Sequence, residues 1–256
     1  MVALHRVSHL YLDDELSIPP VALVELCRYW SDHFEVISLN RMLVRMRQST
    51  DGGGAALAIT FDDGYADNFE RAAPILDLYS LPATFFVTTG AIGSVSPFPW
   101  DRTWTQPPRM MDWNQVRALH AMGFGIGSHT VTHPRLSEVR DQALREEIEG
   151  SGARLAAELG AAVEDFAYPF GQLGDCDGVA REAVRRAGYR TCFSCHGGLN
   201  QPGDSPWQLR RMALSPRFHA TPRGFARAYS RGLLQLRRSI TAAAARPPIV
   251  GKRMLH

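Results

Sequence analysis

Residues 57–65 read LAITFDDGY, an apolar run that stops at two adjacent aspartates. At neutral pH both carboxyls are ordinarily ionised, and like charges that close repel unless something takes up the negative charge. A second cluster, GSHTVTHPRLSE over 127–138, carries His129 and His133 four residues apart. That spacing lets two imidazoles face the same way on a helical turn, and neutral imidazole is the commonest protein ligand for zinc. Two histidines with one carboxylate, and the remaining positions left to water, is the donor set of a catalytic rather than a structural metal site. One aspartate of the pair would ligate the metal, and the other, held nearby, would serve as a base. A third cluster, FAYPFGQLGD over 166–175, runs a strand into Pro169, Phe170 and Gly171. A strand forced to turn there can aim a backbone N–H at a developing oxyanion. Taken singly, the three read equally well as an Asp-Gly turn, two loop histidines and a strand-ending turn. Their company favours chemistry.

The elements that must position these residues follow from periodicity. Extended patterns cover VALHRV (2–7), FEVISLN (34–40), LAITF (57–61), ATFFVTT (83–89), FGIGSHT (124–130), DFAYPF (165–170) and YRTCFS (189–194). Helical spacing covers 20–31, 68–80, 113–123, 138–159 and 178–188, the fourth with an awkward Ser-Gly near its middle. Strands alternating with helices of ten to fifteen residues predict a parallel α/β architecture, open sheet or barrel. In such folds the chemistry lies at the carboxyl ends of the strands. All three clusters fall at such ends.

The chain has 256 residues, 45% hydrophobic and 21% charged, enough for a large core in one or two domains. The start, MVALHRVSHLYLDDELS, lacks the basic and apolar segments of a secretory signal, and no apolar run is long enough to span a bilayer, so a cytoplasmic protein is expected. Of the four cysteines, Cys192 and Cys195 form CFSCH, a literal match to a haem-attachment or thiol redox pattern. The plainer reading is a buried strand running into a glycine loop. From 217 to the end there are nine basic and no acidic residues, leaving 19 basic against 26 acidic residues in the remainder. Within this tail Phe225, Tyr229, Leu233, Leu236 and Ile240 have helical spacing with arginines between them. It reads as a helix packed on an acidic body or as a basic amphipathic helix on an anionic membrane.

TFDDGY, then HTVTHP, then YPFG resembles the polysaccharide deacetylases of carbohydrate esterase family 4, over about residues 1–216. The resemblance implies a single-domain α/β protein, a distorted (β/α)7 barrel, with residues 217–256 as a basic helical tail. It implies a divalent metal, usually zinc, held by Asp63, His129 and His133, with Asp62 as the catalytic base. The backbone amide of Phe170 would help form the oxyanion hole. The implied reaction is hydrolysis of the N-acetyl group of an amino-sugar glycan, polymeric, oligomeric or lipid-linked. Such a partner fits exopolysaccharide or cell-envelope biosynthesis, peripheral to the inner membrane through the tail, and no nucleic-acid partner is expected. A different amide or formyl hydrolase would keep every motif. A metal-free binding module is disfavoured because all three ligand positions are intact.

Two departures from the family pattern stand out. The arginine that usually opens the third motif and tethers the catalytic aspartate is replaced by Ala167, so Arg210 or Arg211 in WQLRRM is expected to supply its charge. The general-acid histidine, usually near the C-terminus in a Leu-x-His context, has no counterpart there. VALHRV places His5 at the end of the first strand instead. That order resembles the permuted subgroup typified by biofilm poly-N-acetylglucosamine deacetylases, and a closed barrel tolerates such a move because the strand returns to the same place in the ring.

Overall fold

In a computed structural model of the chain, residues 1–11, 14–48, 54–95, 97–216 and 220–232 are described. Short, almost wholly buried strands build one parallel sheet: β1 (Val2–Leu4), β2 (Ile59–Phe61), β3 (Ala83–Val87), β4 (Gly125–Ser128), β5 (Asp165–Ala167), β6 (Thr191–Ser194), β7 (Leu209–Arg210) and β8 (Met212–Ala213). They read as near-continuous apolar runs because parallel strands are covered on both faces. The order across the sheet is β7-β6-β5-β4-β3-β2-β1-β8. Its two end strands are neighbours in the chain, separated only by Arg211. Leu209 pairs with Phe193 on one side, and Met212 pairs with Val2 on the other. Residues 209–213 therefore close the ring by changing partner at Arg211. Counted as one run, they make seven segments, the distorted (β/α)7 barrel that the sequence led us to expect.

The helices lie between successive strands: α1 (Pro20–His33), α2 (Leu39–Gln48), α3 (Ala73–Leu78), α4 (Trp113–Ala121), α5 (Asp141–Leu159) and α6 (Gly178–Arg186). Local chemistry sets several ends. Asp112 and Gln115 form a reciprocal capping box at α4, Asp177 accepts from the Ala180 N–H at α6, and Gly160 ends α5 in the left-handed conformation.

Four sequence expectations shift. VALHRV is two strands rather than one: His5 breaks the run, and Arg6–Val7 pairs instead with Ser17–Ile18. The helix expected over 138–159 begins at Asp141, after a 3-10 turn over Leu136–Glu138. Its awkward Ser-Gly faces inward: Ser151 is buried against Ser128, and a Cβ at Gly152 would lie 2.5 Å from the Tyr189 hydroxyl. Helix α2 and the closing stretch 209–213 were not anticipated, since both carry arginines among their apolar positions.

The basic tail begins with a helix over 222–232. Phe225 is buried against Tyr29, Trp30 and Phe34, and Tyr229 stacks edge-on to Phe34. Leu233, Leu236 and Ile240 lie outside the described residues. Among the described residues no helix is long and apolar enough to cross a membrane.

Candidate active site

The carboxyl ends of the strands converge on a cavity of about 390 Å³. The chain brings His5 there after β1, Asp62 and Asp63 after β2, His129 and His133 after β4, Tyr168 and Phe170 after β5, and Cys195 after β6. His5, Asp62, Asp63, His129, His133 and Phe170, the residues expected to carry the chemistry, all line this one space.

Asp62 and Asp63 are both buried, at 1% and 2% exposure. The Asp62 N–H donates to the Leu4 carbonyl at 2.8 Å, tying the pair to the strand that carries His5. Asp63 and Gly64 both have positive φ, 74° and 92°. This reversal turns the second carboxylate away from the first. Aspartate enters the left-handed region more readily than most residues, and glycine enters it freely.

Asp63 Oδ1 lies 3.4 Å from His129 Nε2 and 3.3 Å from His133 Nε2. The three ligand atoms lie within 4.8 Å of one another. His129 Nδ1–H donates to the Ala167 carbonyl at 2.8 Å. This leaves Nε2 as the ring atom facing Asp63, the orientation that a metal ligand needs. Asp63 Oδ1 is buried without a hydrogen-bond partner. An orphaned carboxylate oxygen between two imidazole nitrogens is costly by itself, and a divalent cation satisfies all three groups. The residues therefore fit a metal. The helical turn expected for the two histidines is not what unites them: Thr130 and His133 adopt positive φ, 67° and 63°, in an irregular turn.

The tethering cation is Arg211, fully buried at the seam of the barrel. Its Nη1 and Nη2 each donate to one Asp62 oxygen at 2.7 Å. Nη1 also donates to the Thr60 hydroxyl at 2.9 Å, and Nε to the Ser194 carbonyl at 3.2 Å. Burial alone would raise the Asp62 carboxyl, but the Arg211 guanidinium together with His129 and His5 outweighs it and holds it below the ordinary carboxylate value. Arg210 turns elsewhere, to the Leu199 carbonyl and Asp204. Of the two arginines the sequence offered, the structure selects Arg211. Position 167 contributes its carbonyl to His129 rather than a side chain.

His5 lines the cavity from the end of β1, the strand paired with β2. Its carbonyl accepts from the Asn68 amide at 2.6 Å, which holds the residue at the end of β1. Burial pushes its pKa down, while Asp63 and Asp62 pull it up. Phe170 has a φ of 61°, and the Gly171 N–H folds back to the Pro169 carbonyl at 2.7 Å. The Phe170 N–H donates to no protein acceptor among the described residues. Its ring packs 4.9 Å from that of His133 and under the Arg135 guanidinium at 4.0 Å. Trp100, from the aromatic loop after β3, lines the cavity 5.4 Å from the His133 ring, and Phe98 stacks behind it. That loop thus supplies both a packed cluster and a cavity wall.

Cys195 was not foreseen as a site residue. Its thiol touches both members of the ion pair, 3.8 Å from Asp62 Oδ2 and 3.2 Å from Arg211 Nη2. Cys192 is buried in β6. Burial pushes both thiols up to about 12, so neither has the thiolate character of a redox pair.

The polysaccharide deacetylase family profile matches residues 49–192, more than half of the chain. The chain belongs to this family. It is 22% identical over 166 residues to the poly-β-1,6-N-acetyl-D-glucosamine N-deacetylase of Staphylococcus aureus, covering 61% of this chain and 53% of that protein. It is 22% identical over 183 residues to YxkH of Bacillus subtilis, covering 72% of this chain and 60% of that one. The chain thus spans between half and two thirds of these curated relatives. Two solved structures share the fold. Deacetylase PplD of Streptococcus pyogenes, in complex with acetate, has a TM-score of 0.73 at 18% identity, covering 89% of this chain and 96% of that one. IcaB from Ammonifex degensii has a TM-score of 0.71 at 22% identity, covering 85% and 92%.

Proposed function

We propose that this protein is a metal-dependent hydrolase that removes N-acetyl groups from an amino-sugar glycan in exopolysaccharide or cell-envelope biosynthesis. The observation that carries this reading is one cavity lined by an arginine-clasped carboxylate, an adjacent orphaned carboxylate with two imidazoles, and His5. Asp63, His129 and His133 would hold the metal, and two imidazoles with one carboxylate suit zinc. A divalent ion held there would lower the pKa of a bound water and polarise the acetyl carbonyl.

The chain's own groups supply the remaining steps. Asp62, kept ionised by Arg211, takes the proton of the attacking water. The unpaired Phe170 N–H donates to the developing oxyanion. His5 gives a proton to the departing amine, which is otherwise a very poor leaving group. Trp100 and Phe170 offer apolar faces on which a sugar ring can stack. The products are acetate and a free amino sugar.

The deciding measurement is acetate release from β-1,6- and β-1,4-linked N-acetylglucosamine oligomers by the zinc-loaded protein, with N-formyl analogues alongside. His5→Ala is expected to lower kcat by about 10² or more with metal content unchanged. Release of formate without acetate would overturn the acetyl assignment, and a near-normal His5→Ala variant would overturn the role of His5.

For partners beyond the glycan, the tail supports contact with an anionic membrane surface. Arg223, Arg227 and Arg231 are exposed at four-residue spacing on the side of the 222–232 helix away from Phe225. The contact is electrostatic, because Phe225 and Tyr229 are occupied by α1. Sedimentation with anionic but not neutral vesicles, lost on truncation after Ser215, is the expected result, and equal behaviour of both proteins at low salt would exclude it.

A further inference from the structure

The turn joining the two histidines is one that its residue types resist. Thr130 and His133 both have positive φ, a region that non-glycine residues seldom occupy. Residues 130–133 lie in no helix or strand, so the turn keeps its shape only through bonds from its surroundings. On one side, the Thr89 N–H donates to the Thr130 carbonyl at 3.1 Å and the Gly90 N–H to the Val131 carbonyl at 2.8 Å. Gly90 is required for this approach, since a Cβ there would lie 2.6 Å from the Val131 oxygen. Within the turn, the His133 N–H donates to the Thr130 hydroxyl at 3.0 Å.

On the other side stands one carboxylate, Glu147 of α5. Its Oε2 accepts from two successive backbone groups, the Val131 N–H at 2.9 Å and the Thr132 N–H at 2.8 Å. Its Oε1 accepts from the Thr132 hydroxyl. Among the described residues these two N–H groups have no other acceptor. Glu147 is the seventh residue of α5, beyond the first turn, so its charge is not explained by the helix dipole. It does not line the cavity.

We propose that Glu147 is a positioning residue for the metal site, bracing the 130–132 turn so that His129 and His133 keep their Nε2 atoms on the same side of Asp63. This rests on the reading of Asp63, His129 and His133 as metal ligands. Charge-assisted bonds to two amides and a hydroxyl hold a strained turn more firmly than neutral ones. Without them the two imidazoles would be free to separate, and the loss would appear as metal affinity rather than as chemistry at the bound metal.

The test is zinc affinity of the full-length protein by competition with a chromophoric chelator, alongside thermal unfolding of the metal-free protein. Glu147→Ala is expected to weaken zinc binding by about 10- to 100-fold, the usual consequence of removing a group that orients a ligand. Glu147→Gln keeps an oxygen for both amides and gains an NH2 group that can donate to the Thr132 hydroxyl oxygen, so it should recover most of the affinity. Glu147→Asp keeps the charge but loses the reach, and should resemble alanine. If Glu147→Ala fails to fold, the Gln and Asp variants carry the comparison. Wild-type zinc affinity in Glu147→Ala or Glu147→Asp, with only the unfolding temperature reduced, would overturn the proposal. A wild-type protein that binds no zinc would overturn the metal-site reading itself and this proposal with it.

Discussion

Asp62 and Asp63 are one residue type, joined by a single peptide bond and almost equally buried, yet their surroundings are opposites. Asp62 has both oxygens gripped by the Arg211 fork, so its charge is matched within the protein. Asp63 has an oxygen without a hydrogen bond, turned by its left-handed backbone toward two imidazole nitrogens. A buried acceptor left unpaired costs about 1–3 kcal/mol, so that half of the site is incomplete as protein alone. On the proposed reading, the same side chain serves as a base where an internal cation holds it and as a ligand where an external cation would. Environment, not residue type, separates the two roles.

Exchanging the charges breaks this contrast most severely. Asp63→Asn or His129→Ala is expected to abolish zinc binding and activity together, read by metal content and acetate release. Asp62→Asn should keep one zinc per chain while turnover falls by about 10²–10⁴. If Asp62→Asn loses the metal and Asp63→Asn keeps it, the two roles are reversed.

The Arg211 side of the comparison is sharpened by stability. Arg211→Ala leaves Asp62 buried and unpaired, and should cost about 3–5 kcal/mol in denaturant unfolding. The double variant Asp62→Asn/Arg211→Ala removes both charges and should cost clearly less than the sum of the two single variants, the coupling expected of groups in contact. Additive losses would mean that the pair is not a unit.

A smaller effect concerns pH. The folded Asp62 carboxyl sits below its unfolded value of 3.8, so its ionised form stabilises the fold above that pH. This contribution is lost as pH falls through the depressed folded value. Asp62→Asn should therefore lose less stability than wild type on acidification below about pH 4, and parallel acid curves would argue against the ion pair.

The smallest effect should come from Cys195. A thiol pushed up to about 12 is almost wholly protonated at pH 8, so iodoacetamide should label it slowly. Cys195→Ala should retain activity within about tenfold, since a neutral thiol is not a nucleophile. Rapid labelling near neutral pH would revive the thiol chemistry suggested by CFSCH.

Much of the site was readable in one dimension. Paired aspartates, a histidine pair and a YPFG turn each sit within a few residues, and local spacing at strand ends was enough to mark them and the alternating architecture around them. His5 was picked out only through the family resemblance, as an apolar strand ending in a histidine where the expected C-terminal one has no counterpart, and the fold brings it to the same cavity. What remained hidden depends on contacts between distant segments. Sequence left Arg210 and Arg211 equivalent; only the closing stretch 209–213, changing sheet partner between them, sends Arg211 into the barrel and leaves Arg210 at its edge. The histidines looked like a helical pair, whereas bonds from Glu147 and Gly90 hold a left-handed turn that local propensity opposes. Cys195 looked like core and lies against the Asp62–Arg211 ion pair. Local patterns determine which residues can do chemistry, because donor types and strand ends are properties of short segments. Closure of the ring decides which of them meet, because it joins segments 210 residues apart, Val2 with Met212, whose pairing no local pattern encodes.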